Sequence, residues 1–213
     1  VLGRVDGVVF DVAVFLNRGR DHRDFHDTVE EYYAAKASLF TPERARRALV
    51  NVDDEHGRRL AAETELPVAT FSTSGSSATW GVDEVEASSS RSDFRVLGPG
   101  DRAFAGGVPL AGSFNVSNAL AAVAAVGEAS PGDVDPGDVA AQVASGISAL
   151  TGVPGRLESG VAGQDFEVVV DYAHKPDAVE AALVALRPLT TGRLVLVIGA
   201  GGDRDTGKRP VMG

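Results

Sequence analysis

Two hydrophobic periodicities alternate along the first third of the chain. Residues 8–15 (VVFDVAVF) are β-branched and aromatic, which predicts a buried strand ended by Asn17 and Gly19. Val29, Tyr33, Lys36 and Phe40 then fall on one side of a helix, with Tyr32 and Leu39 beside them. Thr28 is placed to cap that helix, and Glu31 stands at the partner position of a capping box. Pro42 suits a first helical position and predicts a second helix over residues 42–47. Strand character returns at 48–52, helix at 55–65, and strand at 67–71. This β-α-β rhythm predicts a parallel, doubly wound sheet. It places the polar run 20–27 (RDHRDFHD) beyond the C-terminal end of the first strand, the edge where open α/β sheets bind ligands.

From Ser72 onward Ser and Gly accumulate. Residues 79–85, 93–97 and 102–109 read as antiparallel strands, with turns at 98–100 and at Gly106-Gly107. Residues 115–126 (NVSNALAAVAAV) predict a buried helix, and 135–150 another with Pro136 in its first turn. The turn-rich stretch 151–155 (TGVPG) is the candidate boundary between two domains, residues 1–152 and 153–213. Beyond it come a strand at 166–170 ending in Asp171, a helix at 176–186, and a strand at 194–198 that runs into a glycine-rich loop. The expected class is α/β: a mostly parallel sheet flanked by helices plus a small antiparallel region, followed by the start of a second α/β unit.

Composition narrows the function. A formal charge of −10 over 213 residues argues against a nucleic-acid surface, which needs clustered Lys and Arg. The absence of cysteine excludes disulfides, thiolate metal sites and a Cys nucleophile, and fits a reducing compartment. No apolar run approaches the ~20 residues that span a bilayer. The chain starts at Val1 and has its one methionine at Met212, so the expectation is a piece of a longer protein.

Lys36 is the anomaly of the pattern, because an ammonium on a core-facing stripe must snorkel, pair or be neutralised. The face pattern favours snorkelling; the neighbouring DHRDFH run raises a chemically modified lysine beside a charged site. Asp53 and Asp54 at a strand end could hold a metal or a ribose, though such a pair more often starts a helix. Residues 202–208 have the form G-x-x-x-x-G-K, but Arg209 stands where a phosphate loop needs Ser or Thr, and Asp203 and Asp205 would oppose phosphate. That loop is read as a self-paired charged turn or a binding loop. Asp171 at its strand end can accept from a ribose, His174 is the kind of lone histidine that is usually structural, and Arg156 could reach an anion or brace the linker.

Several segments together resemble the Mur ligase family, and within it the UDP-N-acetylmuramoyl-tripeptide synthetase branch of peptidoglycan synthesis. They are NRGRDH (17–22) with DFH (24–26), YAAKASLF (33–40), FNVSNAL (114–120), GVPGRLE (152–158), DYAHKPD (171–177) and GGDRDTGKRP (201–210). They run in family order from end to end of the chain. The resemblance implies most of a central ATP-binding domain lacking its P-loop part, then the beginning of a Rossmann-like C-terminal domain. It implies that Lys36 is carbamylated by CO2 and, with His22, holds Mg2+. It also implies that Asn115 contacts adenine, that Arg156, Asp171 and His174 contact the nucleotide across the hinge, and that Arg4 and Lys36 contact the UDP-sugar substrate.

The implied reaction is ATP-dependent. The terminal carboxylate of UDP-MurNAc-L-Ala-D-Glu becomes an acyl phosphate, the amine of a diamino acid attacks it, and phosphate leaves. The Gly, Ala and Arg bias leans towards meso-diaminopimelate as the added residue. The implied setting is cytoplasmic, with no nucleic-acid, membrane or protein partner, and this fragment alone is expected not to turn over. Arg18 and Arg23 depart from the smaller or apolar residues usual in the family. The alternatives are a folylpolyglutamate- or cyanophycin-type ligase with the same ATP chemistry, or a non-catalytic nucleotide-binding module.

Overall fold

The computed structural model describes residues 5–17, 28–160, 162–199 and 208–212. Six strands form one sheet in the order β1-β2-β3-β4-β5-β6. These are β1 (Ala13–Phe15), β2 (Ala48–Asn51), β3 (Val68–Ser72), β4 (Trp80–Ala87), β5 (Ser92–Gly98) and β6 (Arg102–Val108). The pairs from β1 through β4 are parallel and those from β4 through β6 antiparallel. The strand order follows the chain, and the reversal of order that a doubly wound sheet would show is not seen among the described residues.

Helices cover both faces. Helix α1 (Val29–Ala37) and α2 (Glu55–Glu63) pack on the face that carries Ala13, Phe15, Ala48 and Val50. Helices α3 (Ser113–Glu128) and α4 (Pro136–Ser148) pack on the other, against Leu49, Phe71, Trp80 and Val96. The β2 side chains are buried throughout because both faces are covered, which is why residues 48–50 are apolar without alternation. The capping box of α1 forms as the sequence predicts: Glu31 N donates to Thr28 Oγ1 and Thr28 N to Glu31 Oε2. Asp135 caps α4, with Pro136 in its first turn.

Three predicted elements are corrected. Residues 42–47 make a turn, not a helix, because Phe10 N donates to Arg44 O and Arg46 N to Phe10 O, drawing this backbone into the sheet margin. Gly106 and Gly107 lie inside β6 rather than in a turn. A Cβ on Gly106 would stand 2.8 Å from Phe94 Cε2, so the glycine is there for close strand packing. Residues 194–198 form no strand: no neighbour pairs with them among the described residues, and Val197 is 93% exposed.

After residue 150 a smaller unit holds β7 (Glu158–Gly160), β8 (Val168–Val170), α5 (Pro176–Leu186) and α6 (Lys208–Met212). β7 was not predicted; it pairs antiparallel with β8. Leu157 and Ala182 of this unit pack on Ala111, just before α3, and a Cβ on Gly112 would lie 3.1 Å from Ala185 Cβ. That seam ties the two parts of the chain together.

Candidate functional site

The C-terminal edge of the parallel strands gathers most of the chemistry. Lys36, half-buried in the last turn of α1, sends Nζ to the end of β1, where it donates to Asn17 O at 2.8 Å. Its ammonium stands 4.9 Å from the Tyr32 ring centroid and 5.6 Å from that of Phe15. Lys36 therefore neither points freely to solvent nor sits in an apolar core. Val29, expected on the same inward stripe, is 48% exposed, so Tyr33 carries the burial of α1.

Around Tyr33 lies a network the pattern of apolar positions did not disclose. Tyr33 Oη donates to Glu63 Oε2 at 2.6 Å, and Arg59 lies 4.1 Å from the ring centroid. Arg59 donates to both Glu30 oxygens, at 2.8 and 2.6 Å, and to Glu63 Oε1 at 2.7 Å. Burial, then the adjoining Glu63 carboxylate, pushes the Tyr33 phenol up to about 12. The Arg59 guanidinium, followed by the Tyr33 hydroxyl, holds Glu63 below the usual carboxylate range. The Arg59–Glu63 spacing was legible as a helical ion pair; the Glu30 contact was not.

Asp53 and Asp54 resolve into structural roles. Asp54 caps α2 by accepting from His56 N and Gly57 N. Asp53 accepts from Ser72 Oγ at 2.6 Å, Thr73 N at 2.7 Å, Ser74 N at 3.2 Å and Ser74 Oγ at 2.6 Å. Burial alone would raise its carboxyl, but these hydrogen bonds outweigh it and hold the group below its ordinary value. Asp53 thus fastens the β3–β4 loop.

Beyond residue 150 the structure brings Arg156, Asp171 and His174 together around Tyr172. Asp171 Oδ2 accepts from Leu157 N at 2.9 Å and Oδ1 from Ala173 N at 2.7 Å. Each oxygen keeps further acceptor capacity. Arg156 lies 5.3 Å from the Tyr172 ring centroid, and the His174 ring packs edge-on against Tyr172 at 5.1 Å. His174 Nδ1 is 3.0 Å from Tyr172 O. Tyr172, 65% exposed and contacted by both, is the residue that sequence reasoning passed over. Asn115, 8% exposed near the start of α3, donates from Nδ2 to Ala111 O at 2.7 Å. Because Ala111 packs on Leu157, Asn115 lies along the same seam as Asp171. A cavity of 340 Å³ opens nearby, lined by Leu110, Leu150, Pro154 and Leu157 among others, but none of these expected site residues lines it.

Arg4, His22 and most of the glycine-rich loop 199–209 lie outside the described residues. Among the described residues, no group of three or more His, Asp and Glu side chains is placed to hold a metal ion. No helix among them is long and apolar enough to cross a membrane.

Comparison with known proteins agrees with this layout. Residues 1–126 match the Mur ligase middle domain, and residues 155–213 match the Mur ligase, glutamate ligase domain. A UDP-N-acetylmuramoyl-L-alanyl-D-glutamate--2,6-diaminopimelate ligase of Streptomyces coelicolor is 54% identical over 100% of this chain and 41% of its own length. A UDP-N-acetylmuramyl-tripeptide synthetase of Leifsonia xyli is 44% identical over 99% of this chain and 40% of its own. A solved UDP-N-acetylmuramoyl-L-alanyl-D-glutamate--2,6-diaminopimelate ligase superposes with TM-score 0.69 at 33% identity, covering 95% of this chain and 40% of that one. The chain spans about two fifths of the length of these relatives. With more than half of its residues matched by the middle-domain family alone, the chain belongs to the Mur ligase family.

Proposed function

We propose that this chain forms part of an ATP-dependent ligase that joins a diamino acid, meso-diaminopimelate, to UDP-MurNAc-L-Ala-D-Glu in peptidoglycan synthesis in the cytoplasm. The observation that carries the reading is the 54% identity, over the whole of this chain, to a relative named for that reaction. Residues 1–152 would be the central domain and residues 153–213 the start of the C-terminal one.

The reaction turns a carboxylate into an acyl phosphate and lets an amine displace phosphate. Its groups are mostly anionic, so catalysis rests on positioning and charge neutralisation. When bound, Mg2+ supplies positive charge to phosphate and carboxylate oxygens. An ammonium cannot ligate that cation, but a lysine carbamate presents the hard oxygen it prefers. The surroundings of Lys36 suit this role: its Nζ already lies at the sheet edge, held by the Asn17 carbonyl. The nitrogen lone pair would add to CO2 with loss of a proton. Carbamylated Lys36 and His22 would be the metal-side residues, and Lys36 and Arg4 would face the UDP-sugar substrate. Asn115 would orient adenine, and Arg156, Asp171 and His174 would hold the nucleotide from the hinge, where the exposed Tyr172 ring supports Arg156.

The test is peptide mapping of the full-length ligase in bicarbonate near neutral pH. A gain of one CO2 on the Lys36 peptide is expected, and Lys36→Ala should lower kcat by about 100-fold or more. An unmodified Lys36 together with full activity of Lys36→Ala would sink the assignment of that residue.

A further inference from the structure

We propose that Arg59, with Glu30, Glu63 and Tyr33, clamps α1 to α2 and thereby sets where Lys36 Nζ lies, which makes Arg59 a positioning residue for the modification of that lysine. This rests on the reading of Lys36 above.

Helix α1 has a short apolar footing on the sheet. The helix runs only from Val29 to Ala37, and Tyr33 is its buried residue. Its first turn gains no apolar anchor, since Val29 is 48% exposed. Tyr33, with Ala37 partly buried beside it, is the apolar footing of the helix, and polar contacts add to what stops it rotating or sliding there. Lys36 lies on the next turn from Tyr33, so either motion moves Nζ along the sheet edge.

The polar contacts oppose both motions. The paired hydrogen bonds from Arg59 to Glu30, at 2.8 and 2.6 Å, fix the first turn of α1. The guanidinium also packs 4.1 Å from the Tyr33 ring centroid, and the Tyr33 hydroxyl donates to Glu63 at 2.6 Å. The His56 ring, also on α2, meets Tyr33 at 5.8 Å. A clamp is only as firm as its base. Here α2 is seated by Leu60, 2% exposed, and by Gly57, where a Cβ would fall 1.9 Å from Asn51 O. The linkage therefore runs from β2 through α2 and Arg59 to α1 and Lys36. Side chains that reach across the gap from α2 thereby decide the geometry at the sheet edge.

Misplacing a reacting group by about 1 Å costs up to ~100-fold in rate. Loosening α1 should cost less, because Tyr33 stays buried. In the full-length ligase, Arg59→Leu is expected to lower kcat about tenfold and reduce the Lys36 carbamate signal seen by 13C NMR with labelled bicarbonate. Added bicarbonate should recover part of kcat, and KM for ATP should hold within about twofold. Arg95→Leu removes a comparable paired contact, to Asp83 on β4, and should change none of these readouts. Wild-type kcat and carbamate occupancy in Arg59→Leu, or a loss no larger than in Arg95→Leu, overturns the clamp. Should Arg59→Leu not fold, Glu30→Gln breaks the same contact from an exposed position, and its smaller loss of occupancy or its lack of one decides the matter. Lys36→Ala separates the two ideas. Full activity there sinks both, whereas an inactive Lys36→Ala beside an unaffected Arg59→Leu sinks the clamp alone.

Discussion

Replacing Asp53 by Ala should detach the β3–β4 loop from the sheet edge. In the native chain Asp53 Oδ2 takes Thr73 N at 2.7 Å and Ser74 N at 3.2 Å, while Oδ1 takes the hydroxyls of Ser72 and Ser74. The hydroxyls can turn to water or to each other. The Thr73 amide has no other acceptor among the described residues, whereas Ser74 N also reaches Ser72 Oγ at 3.2 Å, so the Thr73 bond sets most of the cost. A hydrogen bond to a charged acceptor is worth about 1.5–3 kcal/mol, and the partial exposure of Asp53 brings each towards or below the low end. The loss should total about 1.5–2 kcal/mol, which for a domain of this size lowers Tm by roughly 3–8 °C. Asp53→Asn keeps an oxygen for the amides and should cost less than about 1 kcal/mol. The pH dependence follows from the depressed carboxyl. Because its folded value lies below the unfolded one near ~3.9, the stabilisation is fully present above that pH and is lost as pH falls through the folded value. Scanning calorimetry of the wild type and both variants between neutral pH and about pH 3 should show the gap to Asp53→Ala narrowing with acid. An Ala variant within about 0.5 kcal/mol of wild type at neutral pH, or a gap that ignores pH, would refute the account.

Gly57→Ala should destabilise by about 3 kcal/mol or more, or block folding, although Ala is the better helix former by about 1 kcal/mol. The added Cβ would meet Asn51 O at 1.9 Å, and circular dichroism on heating reads the sign directly. Glu128→Ala should cost about 2–3 kcal/mol in urea unfolding followed by fluorescence of Trp80, the single tryptophan, because it strands the buried indole N–H that donates to Glu128 Oε1 at 2.8 Å. Glu128→Gln keeps that acceptor and should cost clearly less; equal losses would assign the effect to the Arg47 ion pair instead.

Local physics was enough for a good part of this molecule. The capping box at Thr28 and Glu31, Pro136 in the first turn of α4, and α5 over Pro176–Leu186 depend on neighbours a few residues apart, and the structure has them where the residues predict. The parallel order of β1 to β3 was equally legible, because the intervening helices leave little choice of connection. So was Lys36 as an anomaly, since it interrupts the apolar pattern.

Long-range packing decided the rest. Helical propensity at Pro42 lost to the backbone pairing of Phe10 with residues 44–46. Gly106 and Gly107 look like a turn until Phe94 at the first, and Asp93, Arg91 and Ser148 at the second, occupy the space a side chain would need. Whether Asp53 serves a ligand or a loop depended on Ser72 and Ser74, which only the sheet brings to it. The same holds for the contact between Glu30 and Arg59, and for the seam that joins Asn115, Leu157 and Asp171. Periodicity reports which face of an element is buried. It cannot report which distant charged side chain will lie opposite, because that depends on the register and rotation of elements fixed only when the core closes.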